Sequence, residues 1–260
     1  MNDIESKVQQ FHKDGYLVLP GILPADDVAR LRAGLEDAFD RPSEESTSYN
    51  MPEMWRPKMF EHGEPFEKLV DHPATIDLVE AILGDNCHLI AMSALRTLPD
   101  NGIDSWHADE TVRFPIPRGV QLDERIQVPC FIVNLNYYLC DVDEEVGPTQ
   151  FVPGSHRSGR QPEDEDRDKD GNPFFEDQGM VSALGPAGTC VMWHDQTWHR
   201  GAKNLSRDRV RWVQQAPYGR RFISQRFYPF IKYRMPEEIL ERANPRRQRL
   251  LGMHSRGAYG

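Results

Sequence analysis

The chain has 260 residues, at the upper end of single-domain length, so one elaborated domain spanning residues 1–260 is expected rather than two. Its formal net charge of −10 excludes non-specific attachment to nucleic acid or to an anionic membrane surface as a role for the whole molecule. The amino terminus is polar, with no apolar leader-like run, and nowhere do about eighteen apolar residues follow one another, so a cytoplasmic protein outside the membrane is expected. Cys87, Cys130, Cys140 and Cys190 lack paired spacing, which argues against a disulfide framework and a zinc site.

Taken in order, Ile4, Val8 and Phe11 recur at helical spacing, Asp14-Gly15 ends that helix, and Tyr16 to Leu19 reads as a strand. Pro24 to Asp27 starts a second amphipathic helix whose stripe is Val28, Leu31, Leu35 and Phe39. Ser43 to Pro65 has no clear period. Its Met51, Met54, Trp55 and Phe60 either line a pocket or plug the edge of the core. A helix is expected from Phe66 to Leu83, capped by Gly84, and a strand from His88 to Met92.

Strands dominate thereafter. After Ser105-Trp106-His107-Ala108-Asp109 comes a long loop from Glu110 to Val128, then a strand from Phe131 to Leu139 whose other face carries Asn134 and Asn136, both expected to point into one cavity. Gly147-Pro148 turns the chain into Thr149 to Val152, and Pro153-Gly154-Ser155-His156 turns it again. The acid-rich stretch Gln161 to Gly179 reads as a surface loop, with a lid as the alternative. Strands follow at Thr189 to Trp193 and Arg209 to Gln215. The last element is a helix from Pro236 to Leu251 whose Arg246, Arg247 and Arg249 form either a solvated face or an anion site. Helices first and many short strands afterwards predict a mainly β protein with flanking helices, of the jelly-roll kind.

The chemistry centres on His107 and Asp109. Two positions apart on an extended chain, they project from one side while Trp106 and Ala108 face the other. A second imidazole would complete the two-histidine, one-carboxylate face that holds a ferrous ion and leaves positions open. His156, His194, His199 and His254 lie downstream. His254 sits in a tail, His156 follows a turn, and the residues alone do not choose between His194 and His199.

Four runs, in order, carry a family resemblance: Phe11-His12-Lys13-Asp14-Gly15-Tyr16-Leu17-Val18-Leu19-Pro20-Gly21, Trp106 to Asp109, Gly147 to His156, and Trp198-His199-Arg200-Gly201-Ala202-Lys203-Asn204. With these the chain resembles the phytanoyl-CoA dioxygenase family of Fe(II)/2-oxoglutarate-dependent oxygenases over nearly its whole length. The resemblance implies a double-stranded β-helix (jelly-roll, cupin-like) core at about 86–232, helical decoration at about 1–85 and a closing helix at about 236–252.

The resemblance also implies Fe(2+) held by His107, Asp109 and His199, with His194 the less favoured distal candidate. It implies 2-oxoglutarate bound through an arginine and Thr149. Arg211 fits the family's spacing from the distal histidine better than Arg209 does, and either guanidinium offers the two-pronged geometry a carboxylate needs. Asp104 stands where several relatives carry an amide.

The activity implied is oxidation, chiefly hydroxylation, of a small molecule by dioxygen with release of succinate and CO2. Desaturation, epimerisation or cyclisation at the same ferrous site, and a non-catalytic cupin-like binding protein, are the alternatives. Trp55, Trp106, Phe114, Tyr137 and Trp198 are candidate pocket walls, and Arg113, Arg220 and Arg221 candidate receptors for an acidic group. No substrate and no oligomeric state follow from the sequence.

Overall fold

Apolar residues at helical spacing fold back on strands whose alternate side chains face two different cores. The computed structural model describes residues 3–41, 53–109, 113–120, 122–123, 125–226 and 233–254. Met51 and the first part of the segment that begins at Ser43, residues 43–52, together with residues 110–112, lie outside that range.

In chain order the elements are α1 (Asp3–Asp14), β1 (Tyr16–Leu19), α2 (Ala25–Asp40), β2 (Trp55–Arg56), α3 (Glu64–Leu69), α4 (Pro73–Leu83), β3 (His88–Leu89), β4 (Ser93–Thr97), β5 (Ile103–His107), β6 (Ile132–Tyr138) and β7 (Thr149–Phe151). Then come β8 (Val181–Ala183), β9 (Cys190–His194), β10 (His199–Gly201), β11 (Arg211–Gln215), β12 (Tyr218–Gly219), α5 (Glu237–Arg242) and α6 (Pro245–Leu250).

Two antiparallel sheets result. The larger runs β1-β9-β6-β11-β4-β2, with β12 against β6 and β3 against β12; the smaller runs β5-β10-β7-β8. Leu95, Tyr138, Phe151, Ala183, Val191, Trp193 and Val213 fill the space between them. The alternate residues Ala94, Leu135, Tyr137, Cys190, Met192 and Trp212 turn to the other face, where Phe11, Leu31, Leu35, Ile76 and Val79 of the helices cover them. The fold is therefore a jelly-roll sandwich with helices on the outer face of one sheet. No helix among the described residues is long and apolar enough to cross a membrane.

Several elements depart from the expectation. The helix foreseen from Phe66 to Leu83 is two, because Pro73 starts α4 at its first turn and the chain bends at Asp71-His72. The C-terminal helix is also two: Asn244 caps α6 by accepting from the Arg247 N–H, with Pro245 in the first turn. Its basic group is neither a solvated face nor an anion site. Arg246 pairs with Asp77 and Glu80, Arg247 with Asp71, and Arg249 with Glu80, which ties α6 to α4 and the bend before it. The strand expected from His88 to Met92 is cut to β3, and β4 follows it as the full-length partner of β11. β1 joins the larger sheet by pairing with β9.

Candidate active site

β5 ends on His107 and β10 begins on His199, and the two residues face each other in register across that strand pair. Their rings lie 4.3 Å apart between centroids, tilted by 53°. Asp109, just past the end of β5, brings Oδ1 to 4.0 Å from His199 Nε2. One potential ligand atom from each of His107, Asp109 and His199 lies within 4.8 Å of the other two.

The hydrogen bonds around these groups fix which atoms face inward. A carbonyl oxygen only accepts, so the ring nitrogen beside it carries the proton. His107 Nδ1 donates to the Ser105 carbonyl at 2.8 Å, and His199 Nδ1 donates to the Thr197 carbonyl at 2.9 Å. With Nδ1 carrying the proton, Nε2 of each ring is the nitrogen placed to bind a metal. Asn134 Nδ2 donates to Asp109 Oδ2 at 2.7 Å, leaving Oδ1 turned to the histidines. Burial lowers the pKa of His199; Asp109 raises it and His107 lowers it further. The imidazole is thus held neutral.

The other candidate histidines lie elsewhere. His156 is buried, with Nε2 donating to the His12 carbonyl at 3.0 Å. His194 lies beside Asp195 and Cys130 in a separate sealed cluster, and His254 bonds His88 at 2.9 Å. Gly15, at φ +80°, explains part of the first motif. A Cβ there would lie 2.5 Å from His156 Nδ1 and 2.6 Å from Thr197 Oγ1, so only glycine lets the opening turn pack against the turn that leads to His199.

The two candidate arginines part company. Arg209 precedes β11, lies at the surface and is tied to Asp143 at 2.7 Å and to Glu145 at 2.9 Å. The strand expected from Arg209 to Gln215 begins instead at Arg211, which leaves Arg209 outside it. Arg211 is 2 % exposed and shares the inward face with Val213. Its Nη2 donates to Thr97 Oγ1 at 3.1 Å, while Nε and Nη1 are buried without a partner. Burial pulls its pKa below the usual arginine value. Among the described residues no carboxylate forms an ion pair with it.

Thr149 is buried on β7 and in register with Gly201 on β10. A Cβ on Gly201 would sit 3.2 Å from Arg211 Nη2, so the small residue leaves room where the guanidinium crosses to the smaller sheet. Asn136 shares the inward face of β6 with Asn134 and Tyr138, buried and with Oδ1 unpartnered. Thr97 was missed by sequence reasoning because β4 itself was missed.

Trp106 and Trp198 pack with Ala108 and Val152, and Tyr137 is buried in the helix-side core, so these three are core rather than pocket walls. Phe114 is exposed and Trp55 half-buried. Asp104 is exposed on the Trp106 side of β5, where its charge acts on Arg200; the departure at this position faces away from His107.

The donor set fits the groups that the resemblance implies. Two imidazoles and one carboxylate on a single face suit a ferrous ion. A buried guanidinium with two nitrogens lacking a partner suits the far carboxylate of 2-oxoglutarate.

Comparisons with known proteins agree. The chain is 27% identical over 225 residues to ectoine dioxygenase of Stutzerimonas stutzeri (strain A1501), covering 76% of this chain and 71% of the relative. It is 25% identical over 236 residues to L-proline trans-4-hydroxylase of Streptomyces griseoviridis, covering 79% and 82%. Among solved structures, the fold matches HygX from Streptomyces hygroscopicus with nickel and 2-oxoglutarate bound, at TM-score 0.64, 17% identity and 86% and 89% coverage. It also matches the epimerase SnoN in complex with Fe3+, alpha ketoglutarate and nogalamycin RO, at TM-score 0.62, 23% identity and 84% and 83% coverage. The family model for phytanoyl-CoA dioxygenase (PhyH) matches residues 11–212, all four motif runs among them, and the chain belongs to that family of Fe(II)- and 2-oxoglutarate-dependent oxygenases.

Proposed function

We propose that His107, Asp109 and His199 hold the ferrous ion, that Arg211 and Thr149 receive 2-oxoglutarate, and that the enzyme hydroxylates a C–H bond of a small molecule. One observation carries the reading: the three ligand atoms converge while both Nδ1 atoms and Asp109 Oδ2 are already bonded elsewhere. When bound, iron, 2-oxoglutarate and dioxygen supply the oxidising chemistry, with succinate and CO2 as co-products.

The protein's part is positional. Ser105 and Thr197 set the rotation of the two imidazoles through their carbonyls, and Asn134 sets that of the carboxylate. Arg211, sealed from water, gives a charge-assisted contact to the cosubstrate's far end, and Thr97 holds that guanidinium in place. Trp193 and Phe151 pack at 5.3 Å and 6.2 Å from the His199 ring and shield its flank from water. Asp109 is a carboxylate rather than a small residue, which supports oxygenation over halogenation.

Ectoine and L-proline, named for two relatives, are the first compounds to test. The expected result is succinate formation from 2-oxoglutarate stimulated by a substrate whose mass rises by one oxygen, and its loss in His199→Ala. A product of unchanged or reduced oxygen content would favour epimerisation, desaturation or cyclisation at the same site. The four free thiols support a reducing, cytoplasmic location.

A further inference from the structure

We propose that Gln161 is a positioning residue for the metal site, holding the peptide between His107 and Asp109 in the conformation that lets both side chains converge. The inference rests on the reading that those residues, with His199, bind a divalent cation.

β5 ends at His107, so no strand ladder holds the next residue. Ala108 nonetheless has both backbone groups satisfied. Gln161 Oε1 accepts from the Ala108 N–H at 2.7 Å, and Gln161 Nε2 donates to the Ala108 carbonyl at 2.8 Å. A primary amide presents one acceptor and one donor side by side, as a neighbouring strand would. The clamp comes from 53 positions away and meets the backbone edge of Ala108, whose side chain packs with Trp106, Val152 and Trp198. Beyond it, the Asp109 N–H donates to the Asp195 carbonyl at 3.0 Å, so the peptides on both sides of the Ala108 Cα are restrained.

The neighbouring residue extends the grip to the distal histidine. The Arg160 carbonyl accepts from Trp198 Nε1 at 2.6 Å, and Trp198 directly precedes His199. The Arg160 guanidinium lies 5.2 Å from the Trp198 ring and bonds Asp166 through both of its Nη atoms. Asp166 also receives Arg118 at 3.0 Å. Burial pushes Asp166 up, but the bonds from Arg160, the Glu163 N–H and Arg118 outweigh it and hold the carboxyl at about 2. The root of the acid-rich loop is thus a fixed brace rather than a free surface segment. Only a side chain that both donates and accepts can serve at position 161. Glutamate matches its size but offers a carboxylate to the Ala108 carbonyl.

The test is an anaerobic titration of the metal-free full-length protein with Co(II), following the visible d–d band, for wild type, Gln161→Met, Gln161→Glu, Arg118→Ala and His199→Ala. Gln161→Met and Gln161→Glu should weaken Co(II) about tenfold to a hundredfold and alter the band, whereas Arg118→Ala, which loosens the same loop, should lower the melting temperature yet keep Co(II) affinity within about twofold. Wild-type affinity and band shape in both Gln161 variants would overturn the proposal and leave the metal site standing. Undiminished binding in His199→Ala would instead remove the reading beneath it. If Gln161→Met fails to fold, Gln161→Glu, equal in size, decides.

Discussion

Among the described residues two sets of three ligand-type side chains converge, and the surroundings of the proposed metal site differ from those of the other. His107, Asp109 and His199 form the first; Cys130, His194 and Asp195 form the second, with ligand atoms equally close. In the first, Asp109 is about a third exposed, at 32%, and its neighbours' N–H groups are committed to carbonyls. In the second, the His194 and Asp195 side chains are fully buried and Cys130 is nearly so. Burial pushes the Asp195 carboxyl and the Cys130 thiol well above their usual ranges, with Asp109 adding to the first, and lowers His194 to about 3. His194 Nδ1 also already accepts the Gln196 N–H at 3.1 Å. Ligand types at ligand distances are therefore not enough. The free lone pair and the carboxylate's access to solvent separate such a site from a sealed polar core.

The largest test of that contrast is to remove one member from each set. Asp109→Ala and His199→Ala should weaken Fe(II) by more than about a hundredfold and abolish succinate formation, while His194→Ala should leave Fe(II) affinity within about tenfold. Equal losses from His194→Ala and His199→Ala, in proteins that remain folded, would erase the distinction.

The arginines offer the same contrast at smaller scale. Arg211→Ala removes a buried charge-assisted contact and should raise the 2-oxoglutarate requirement about tenfold to a hundredfold with iron affinity little changed. Arg209→Ala breaks only surface ion pairs and should shift the requirement by less than about twofold. Asn134→Ala, which frees Asp109 Oδ2, should weaken Fe(II) by about tenfold through loss of carboxylate orientation.

The sealed cluster should show itself in stability rather than turnover. Burial keeps His156 and His194 neutral when folded, whereas the unfolded chain takes up protons on them below the ordinary value of 6.5. Each therefore favours unfolding increasingly as pH falls below 6.5. Asp195 has the opposite sign, because the folded acid keeps a proton that the unfolded chain releases above 3.8. Two imidazoles outweigh one carboxyl. The melting temperature of the metal-free protein should fall from about pH 6.5 to about pH 5, with a shallower slope in His194→Asn. An unchanged slope would show that His194 does not couple folding to protonation.

Much of the proposed ligand set was legible because strand alternation is a strict period. It placed His107 with Asp109, turned Trp106 away and put Asn134 on the cavity side. The choice of His199 over His194 needed the family resemblance, since both lie within a few residues and only register against His107 separates them. Some misses had local signals that were passed over. Pro73 and Asn244-Pro245 each mark a new helix start inside what reads as one apolar period. Others had none. The Gln161 clamp joins side chain to backbone across 53 positions, and β4 is defined by its pairing with β11 more than by its own residues.

Anaerobic addition of Fe(II) and then 2-oxoglutarate to the metal-free protein tests the central claim most directly, read as the visible charge-transfer band of a keto acid chelated to ferrous iron. The account predicts a band that saturates at one equivalent of iron, is absent from His199→Ala, and needs more 2-oxoglutarate in Arg211→Ala. No band in the wild type, or an undiminished one in His199→Ala, would contradict it.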